Sequence, residues 1–259
     1  MGFNMSWIFV DQIDLNELYA ALDVKSTGEA ADPYDLGTGR VPLAGLKPKE
    51  GWCAIFGHYS FVLDITIGID PPRLTRLPAK SRAVSCVVLE HANISYASLW
   101  QDGRYIWEMR HQPSKDEPNH LVFWGDLPAG FVGNWGAALE KRRASEAEAK
   151  GKPSNWWGPF DYVFSVPLDM AETITGFRHN RGGKEVDYRD VTNLEPINGN
   201  ALRRLSNPPR WWQTVRSTKY YAEGEERRRE DDQPTTEQVK QFTKEFLEAM
   251  KRAKRMGNP

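Results

Sequence analysis

ISYASLW at residues 94–100, Gln101-Asp102-Gly103, and RYIWEMRH at 104–111 form the stretch whose reading decides the fold. An Asp-Gly pair between two β-rich runs signals a hairpin, because a type I′ turn demands φ > 0 at both central residues. With Asp102 and Gly103 as the turn, Gln101 faces Arg104 and Trp100 faces Tyr105, and a regular ladder then sets Ser98 against Trp107 and Tyr96 against Met109. The other face carries Leu99–Ile106, Ala97–Glu108 and Ser95–Arg110, which is half polar. This pattern predicts one core face and one face partly wet. The preceding run AVSCVVLE, 83–90, is dense in β-branched residues and adds a buried neighbouring strand, giving an antiparallel meander.

Further strands are expected at Trp7–Val10, 51–56, 59–69 and 120–124. In FVLDITIG, 61–68, alternation sets Asp64 on the more exposed face, and Pro71-Pro72 closes the run. A helix is predicted after the first strand, because Asp14 and Glu17 are spaced as a capping box and Leu15, Leu18, Tyr19 and Leu22 make an apolar stripe. Residues 26–49 are rich in Gly, Pro and Asp and read as a long loop. Residues 135–150 are rich in helix formers with little apolar face beyond Trp135, Ala138 and Leu139, which suits a solvated connector. Phe160–Val166 reads as a strand, and 168–175 as a short helix stopped by Gly176. Thr235 and Gln238 cap a last helix whose stripe is Val239, Phe242, Phe246, Met250 and Ala253. Strands dominate the first half and helices the last. The expected class is α+β, an antiparallel sheet of about six strands with peripheral helices and a smaller mixed C-terminal unit. The expected division is a sheet-based domain at 1–135, a helical connector at 136–155, and a smaller α+β unit at 156–259 ending in the amphipathic helix.

The 259 residues, 40% of them hydrophobic, are enough for a sizeable core. Net charge is −1, as −5 in residues 1–135 (11 Lys+Arg against 16 Asp+Glu) and +4 in the remainder. The second-half charges fall in mixed runs such as EGEERRREDD, so no single-sign patch for nucleic acid follows. Two cysteines, Cys53 and Cys86, sit in apolar runs and read as buried free thiols. The chain opens without a basic-plus-apolar leader, and no run reaches the roughly 18 apolar residues of a membrane span, so a cytoplasmic protein away from membranes is expected.

Chemistry is sparse. The histidines match no compact metal motif, although His111 and His120 flank a loop with Asp116 and Glu117, and neither metal nor cofactor is expected. Nucleophile elbow, phosphate loop and CxxC pair are missing, so no catalytic residue is assigned. Carboxylates on separate strands leave no local motif, which keeps a hydrolase built on Glu108 and Asp64 as an alternative. The simpler reading of Glu108 is an exposed partner of Arg104 or Arg110. Gly176-Phe177-Arg178-His179-Asn180-Arg181 is the most pointed polar cluster, expected to be displayed on a loop. With Trp156 and Trp157 it gives the candidate partner-binding set Trp156, Trp157, Arg178, His179 and Arg181, since Trp and Arg are enriched among binding anchors.

Three segments carry a family resemblance: SWIFV…LYAALDVKSTGE (6–29), SYASLWQDGRYIWEMRH…HLVFWGDLP (95–128), and DYVFSVPLDMAETITGFRHN (161–180). They resemble small bacterial immunity-type proteins of contact-dependent or type VI toxin systems. The resemblance implies an α+β protein that binds and neutralises a cognate toxin without catalysis, and it assigns no individual residue. A small-ligand binder using the Trp-rich surfaces is the further alternative.

Overall fold

The computed structural model describes residues 4–31, 43–49, 51–57, 73–113, 120–150, 161–180 and 191–197. The expected strand at 59–69, with Asp64, and the helix after Thr235 lie outside the described residues. The elements are β1 (Asn4–Asp11), α1 (Leu15–Ala21), β2 (Val24–Ala30), β3 (Leu43–Lys49), β4 (Trp52–Gly57), β5 (Arg82–Leu89), β6 (Ile94–Gln101), β7 (Arg104–His111), β8 (Leu121–Gly125), α2 (Phe131–Ala149), α3 (Ser165–Thr175) and β9 (Thr192–Pro196). The class is α+β. Among the described residues nine strands, where about six were expected, make one antiparallel sheet in the order β2-β9-β3-β4-β1-β5-β6-β7-β8.

The extra strands have a physical cause. β2 (VKSTGEA) and β9 (TNLEP) lack the apolar alternation that marks a half-buried strand, and their polar segments are held by the backbone ladder between them. β3 contains Pro48, which cannot donate to a ladder, and its register with β4 shifts between Leu46 and Lys49. A loop-like composition therefore hides a strand in all three places. Of the segment expected as a strand at Phe160–Val166, residues 161–164 are instead a turn that enters α3 at Ser165, and Phe160 lies outside the described residues. Gly176 does cap that helix, in the left-handed region at φ 71°.

Strand alternation sorts the sheet into two faces. On the first, Trp7 and Phe9 of β1, Phe56 of β4, Cys86 of β5 and Trp107 and Met109 of β7 form the main core. α3 lies over β5, β6 and β7 there, and α2 packs on α3. Phe177, just past α3, stacks on Phe9 with ring centroids 5.1 Å apart and meets Trp7 and Phe56 edge-on at 5.5 and 5.4 Å. Such aromatic packing stabilises beyond area burial by about 0.5–1.5 kcal/mol per pair.

α1 sits on the second face. Its start is the expected capping box: Asp14 accepts the Glu17 N–H at 2.9 Å, and Glu17 accepts the Asp14 N–H. Its end is held by Arg73, whose guanidinium donates to the Leu22 carbonyl at 3.1 Å, where a cation suits the helix dipole. Tyr19 lies against Gly45 of β3 so closely that any side chain at 45 would collide with its ring. Burial there pushes the Tyr19 hydroxyl up to about 12. Cys53 and Cys86 are both buried free thiols.

The chain divides into two units, Met1–Asn207 and Pro208–Pro259. The division expected at 136–155 falls inside the first of these, within α2 and the residues after it. At β9 (Thr192–Pro196) the chain returns to pair between β2 and β3.

Candidate functional site

The hairpin turn is as the sequence predicts, and the register beyond it is not. Asp102 and Gly103 have φ 53° and 67°, the two positive values of a type I′ turn, and Gln101–Arg104 and Trp100–Tyr105 pair as expected. From there the ladder shifts: Leu99 faces Trp107, Ser98 faces Glu108, Ala97 faces Met109 and Tyr96 faces Arg110. The expected Ser98–Trp107 and Tyr96–Met109 pairs are therefore corrected by a β-bulge at Ile106. One inserted residue moves every later side chain to the opposite face.

The bulge is held from β8. The Asp126 N–H donates to the Ile106 carbonyl at 3.0 Å, and Gly125, at φ 77°, passes so close that a Cβ there would collide with that carbonyl oxygen. Beyond Gly125 the ladder is regular, with Trp124 opposite Glu108, Phe123 opposite Met109 and Val122 opposite Arg110. Phe123 packs toward the main core and against Phe131 and Trp135 of α2. Trp124 points to the second face, where the Arg110 guanidinium lies 5.6 Å from its ring centre.

The shift also corrects the expected exposure of Glu108. It is 3% exposed and accepts a hydrogen bond from the Tyr96 hydroxyl at 3.2 Å. The same cross-strand row holds Ser85 and Ser98, whose hydroxyls are 2.6 Å apart and fully buried. A buried polar row of this kind persists because its groups satisfy one another. Both faces of the hairpin are thus buried at mid-strand, against the expected half-wet face.

Of the sequence-assigned binding residues, Trp156, Trp157 and Arg181 lie outside the described residues. Arg178 and His179 were expected to be displayed on a loop, but both side chains are turned inward. Arg178 is 7% exposed and fans its guanidinium across four side chains: Nε donates to Asn180 at 3.1 Å, Nη2 to Ser165 at 3.0 Å, and Nη1 meets Asp169 and, at 3.5 Å, Glu172. The His179 side chain is fully buried against Trp7, ring centroids 5.7 Å apart, with Nε2 3.1 Å from Glu90. Burial holds its imidazole below the ordinary value, and the Arg178 charge adds to this against Glu90. An Arg-His pair on a glycine-bounded loop looks displayed in sequence. The aromatic Phe177 between them and the helix is what draws the loop into the core.

A third polar cluster was invisible in the sequence because its members come from four elements. His111, fully buried at the end of β7, donates from Nδ1 to the His120 carbonyl at 2.5 Å and has Nε2 2.8 Å from Asp161. Asp161 also meets Arg142 of α2 at 3.3 Å and accepts the Phe164 N–H at 3.4 Å. Burial alone would push the Asp161 carboxyl up; the His111 hydrogen bond and charge, with Arg142 and the Phe164 N–H, outweigh it and hold the carboxyl below its ordinary value. Ser95 lies opposite His111 in the ladder, but its hydroxyl donates to the Phe164 carbonyl at 2.7 Å. Both ring nitrogens of His111 are already engaged, so Ser95, His111 and Asp161 do not assemble a nucleophilic triad. Among the described residues no group of three or more His, Cys, Asp or Glu side chains is placed to hold a metal ion. No helix among them is long and apolar enough to cross a membrane.

No family model matches the chain, and neither a curated protein nor a solved structure matches it.

Proposed function

We propose that the chain is a cytoplasmic, immunity-type inhibitor that neutralises a cognate toxin-like protein by stoichiometric binding, without turnover of its own. The observation that carries this reading is β8. Among the described residues it ends the sheet order, is apolar from Leu121 to Trp124, and leaves all four of those side chains only half-buried. An edge strand offers backbone donors and acceptors to another chain, and a partner strand laid along it gains main-chain hydrogen bonds and side-chain contacts together. Trp124 with Arg110 over its ring supplies the residue types that dominate binding energy. Trp156, Trp157 and Arg181 are the further anchors assigned from sequence. Arg178 and His179 serve the loop from inside, through the bonds that fix it.

Capture of the partner from the source cell on the tagged chain, followed by titration calorimetry of the purified pair, tests the reading. One-to-one stoichiometry is expected, with a loss of at least ~2 kcal/mol for Trp124→Ala in a folded protein. The second reading is a hydrolase, favoured by the burial of the Glu108 carboxylate beneath the Tyr96 hydroxyl. It replaces the first if the purified chain turns over a small substrate and Glu108→Gln abolishes that turnover.

A further inference from the structure

β8 runs Leu121–Gly125 and, among the described residues, ends the sheet order. Its side chains alternate, with Leu121 and Phe123 toward the main core and Val122 and Trp124 toward the second face. Two copies of a five-residue strand laid antiparallel pair all five residues only when the central residue faces itself. Here that residue is Phe123. The register then sets Val122 opposite Trp124 and Leu121 opposite Gly125, a bulky side chain beside a small one each time, and every pair keeps its face because directly opposed residues share one. We propose that in the free chain the β8 edge is occupied by a second copy of the chain, in an antiparallel β8–β8 pairing centred on Phe123 that joins the two sheets about a two-fold axis.

Charge and shape both favour this occupant. At each end of the pairing the exposed Asp126 carboxylate of one copy comes to His120 of the other, whose ring can donate to it. Like charges are not set opposite one another. The two Arg110 guanidinium groups, each over the Trp124 ring of its own chain, belong to strands three spacings of ~4.8 Å apart, beyond the screening length of roughly 8 Å in physiological salt. On the core side the pairing extends the contact of Phe123 with Phe131 and Trp135 of α2, and it covers the corner where Val132, on the first turn of that helix, is 38% exposed. The opposite edge explains why assembly stops at two. β2 is interrupted at Gly28 and carries Lys25 and Glu29, so it does not accept a strand, and a chain with one open edge closes as an isologous dimer instead of growing into a fibre. This inference goes beyond the inhibitor reading and does not depend on it. A foreign partner that uses β8 would displace the second copy, and a monomeric free chain would leave the inhibitor reading as it stands.

Sedimentation of the full chain, from micromolar to millimolar concentration, tests the pairing without any variant. The mass is expected to rise with concentration to twice that of one chain and no further. Val122→Lys sets an ammonium group against Trp124 of the second copy, and it should weaken self-association about tenfold or more, because a charge buried without a partner is costly. Circular dichroism checks that this variant is folded. Cross-linking reads the register. Val122→Cys chains mixed with Trp124→Cys chains under mild oxidant should form a covalent dimer, while Val122→Cys alone should not, since its two copies stand two residues out of register and beyond the roughly 7 Å between Cα atoms that a disulfide spans. The mass of a single chain at every concentration, an unchanged dissociation constant for folded Val122→Lys, or cross-linking of Val122→Cys with itself overturns the proposal.

Discussion

β2 and β8 end the same sheet and are made differently. After buried Val24, the remaining six residues of β2 are all exposed, whereas the first four residues of β8 are apolar and all half-buried. β2 also breaks its own ladder. Gly28 stands at φ 80°, the register with β9 shifts between Ser26 and Ala30, and Lys25 pairs with Glu195 at the surface. These are the devices that keep an edge from recruiting other strands: charge, a bulge and polarity. Among the described residues β8 has only shortness, and its irregularity is displaced onto its neighbour, as the bulge at Ile106 of β7. One edge is closed by its own chemistry. The other is open in chemistry and is the edge on which the binding reading rests.

The comparison breaks most severely at Gly125. Its φ of 77° disfavours any side chain, and a Cβ would also strike the Ile106 carbonyl oxygen, so both backbone strain and a steric clash follow from Gly125→Val. We expect a loss of about 3 kcal/mol in urea unfolding. A loss below about 1 kcal/mol, within the range of ordinary surface changes, would mean that Gly125 does not fix the bulge. Next in size is the binding difference between the edges. Trp124→Ala should weaken the partner by at least ~2 kcal/mol, while Glu29→Ala on β2 leaves it unchanged. Equal losses at the two edges would remove the distinction on which the functional reading depends.

How much of this was legible in the sequence depended on whether a feature was local. The type I′ turn at Asp102-Gly103, the Asp14/Glu17 capping box and the Gly176 stop are each specified within a few residues, and each stands where the sequence puts it. The bulge at Ile106 is not local. It depends on Gly125 and Asp126, some twenty positions on, and nothing in RYIWEMRH announces it. That one shift decided the site as well, since it moved Glu108 from the expected exposed face into the buried row with Tyr96 and Ser98. β2 and β9 were hidden for the opposite reason: polar strands held by backbone pairing carry no hydrophobic period. His111 and Asp161 are fifty residues apart and meet only through tertiary structure.

Smaller effects sharpen the contrast at β2. Gly28 shares the positive φ of Gly125, but a Cβ built on it would meet nothing within 4 Å. Gly28→Ala therefore isolates the backbone cost, about 1–2 kcal/mol, and the gap between it and Gly125→Val measures the steric contribution at β8. If the two substitutions cost the same, the close approach of Ile106 to Gly125 contributes nothing.

The smallest expected effect is at the Lys25–Glu195 pair, which joins β2 to β9 at 2.9 Å with side chains 58% and 44% exposed. Water and salt screen such a pair, and holding two long side chains in one geometry costs entropy. Lys25→Ala should change stability by less than ~1 kcal/mol, and raising the salt concentration should shrink even that difference. The role argued for Lys25 is to guard the edge rather than to stabilise it, so its removal should tell elsewhere. Lys25→Ala combined with Glu29→Ala leaves an uncharged β2, and light scattering at high protein concentration should then show more self-association than the parent chain does. If the double variant stays as monodisperse as the parent, the bulge at Gly28 closes that edge without help from its charges.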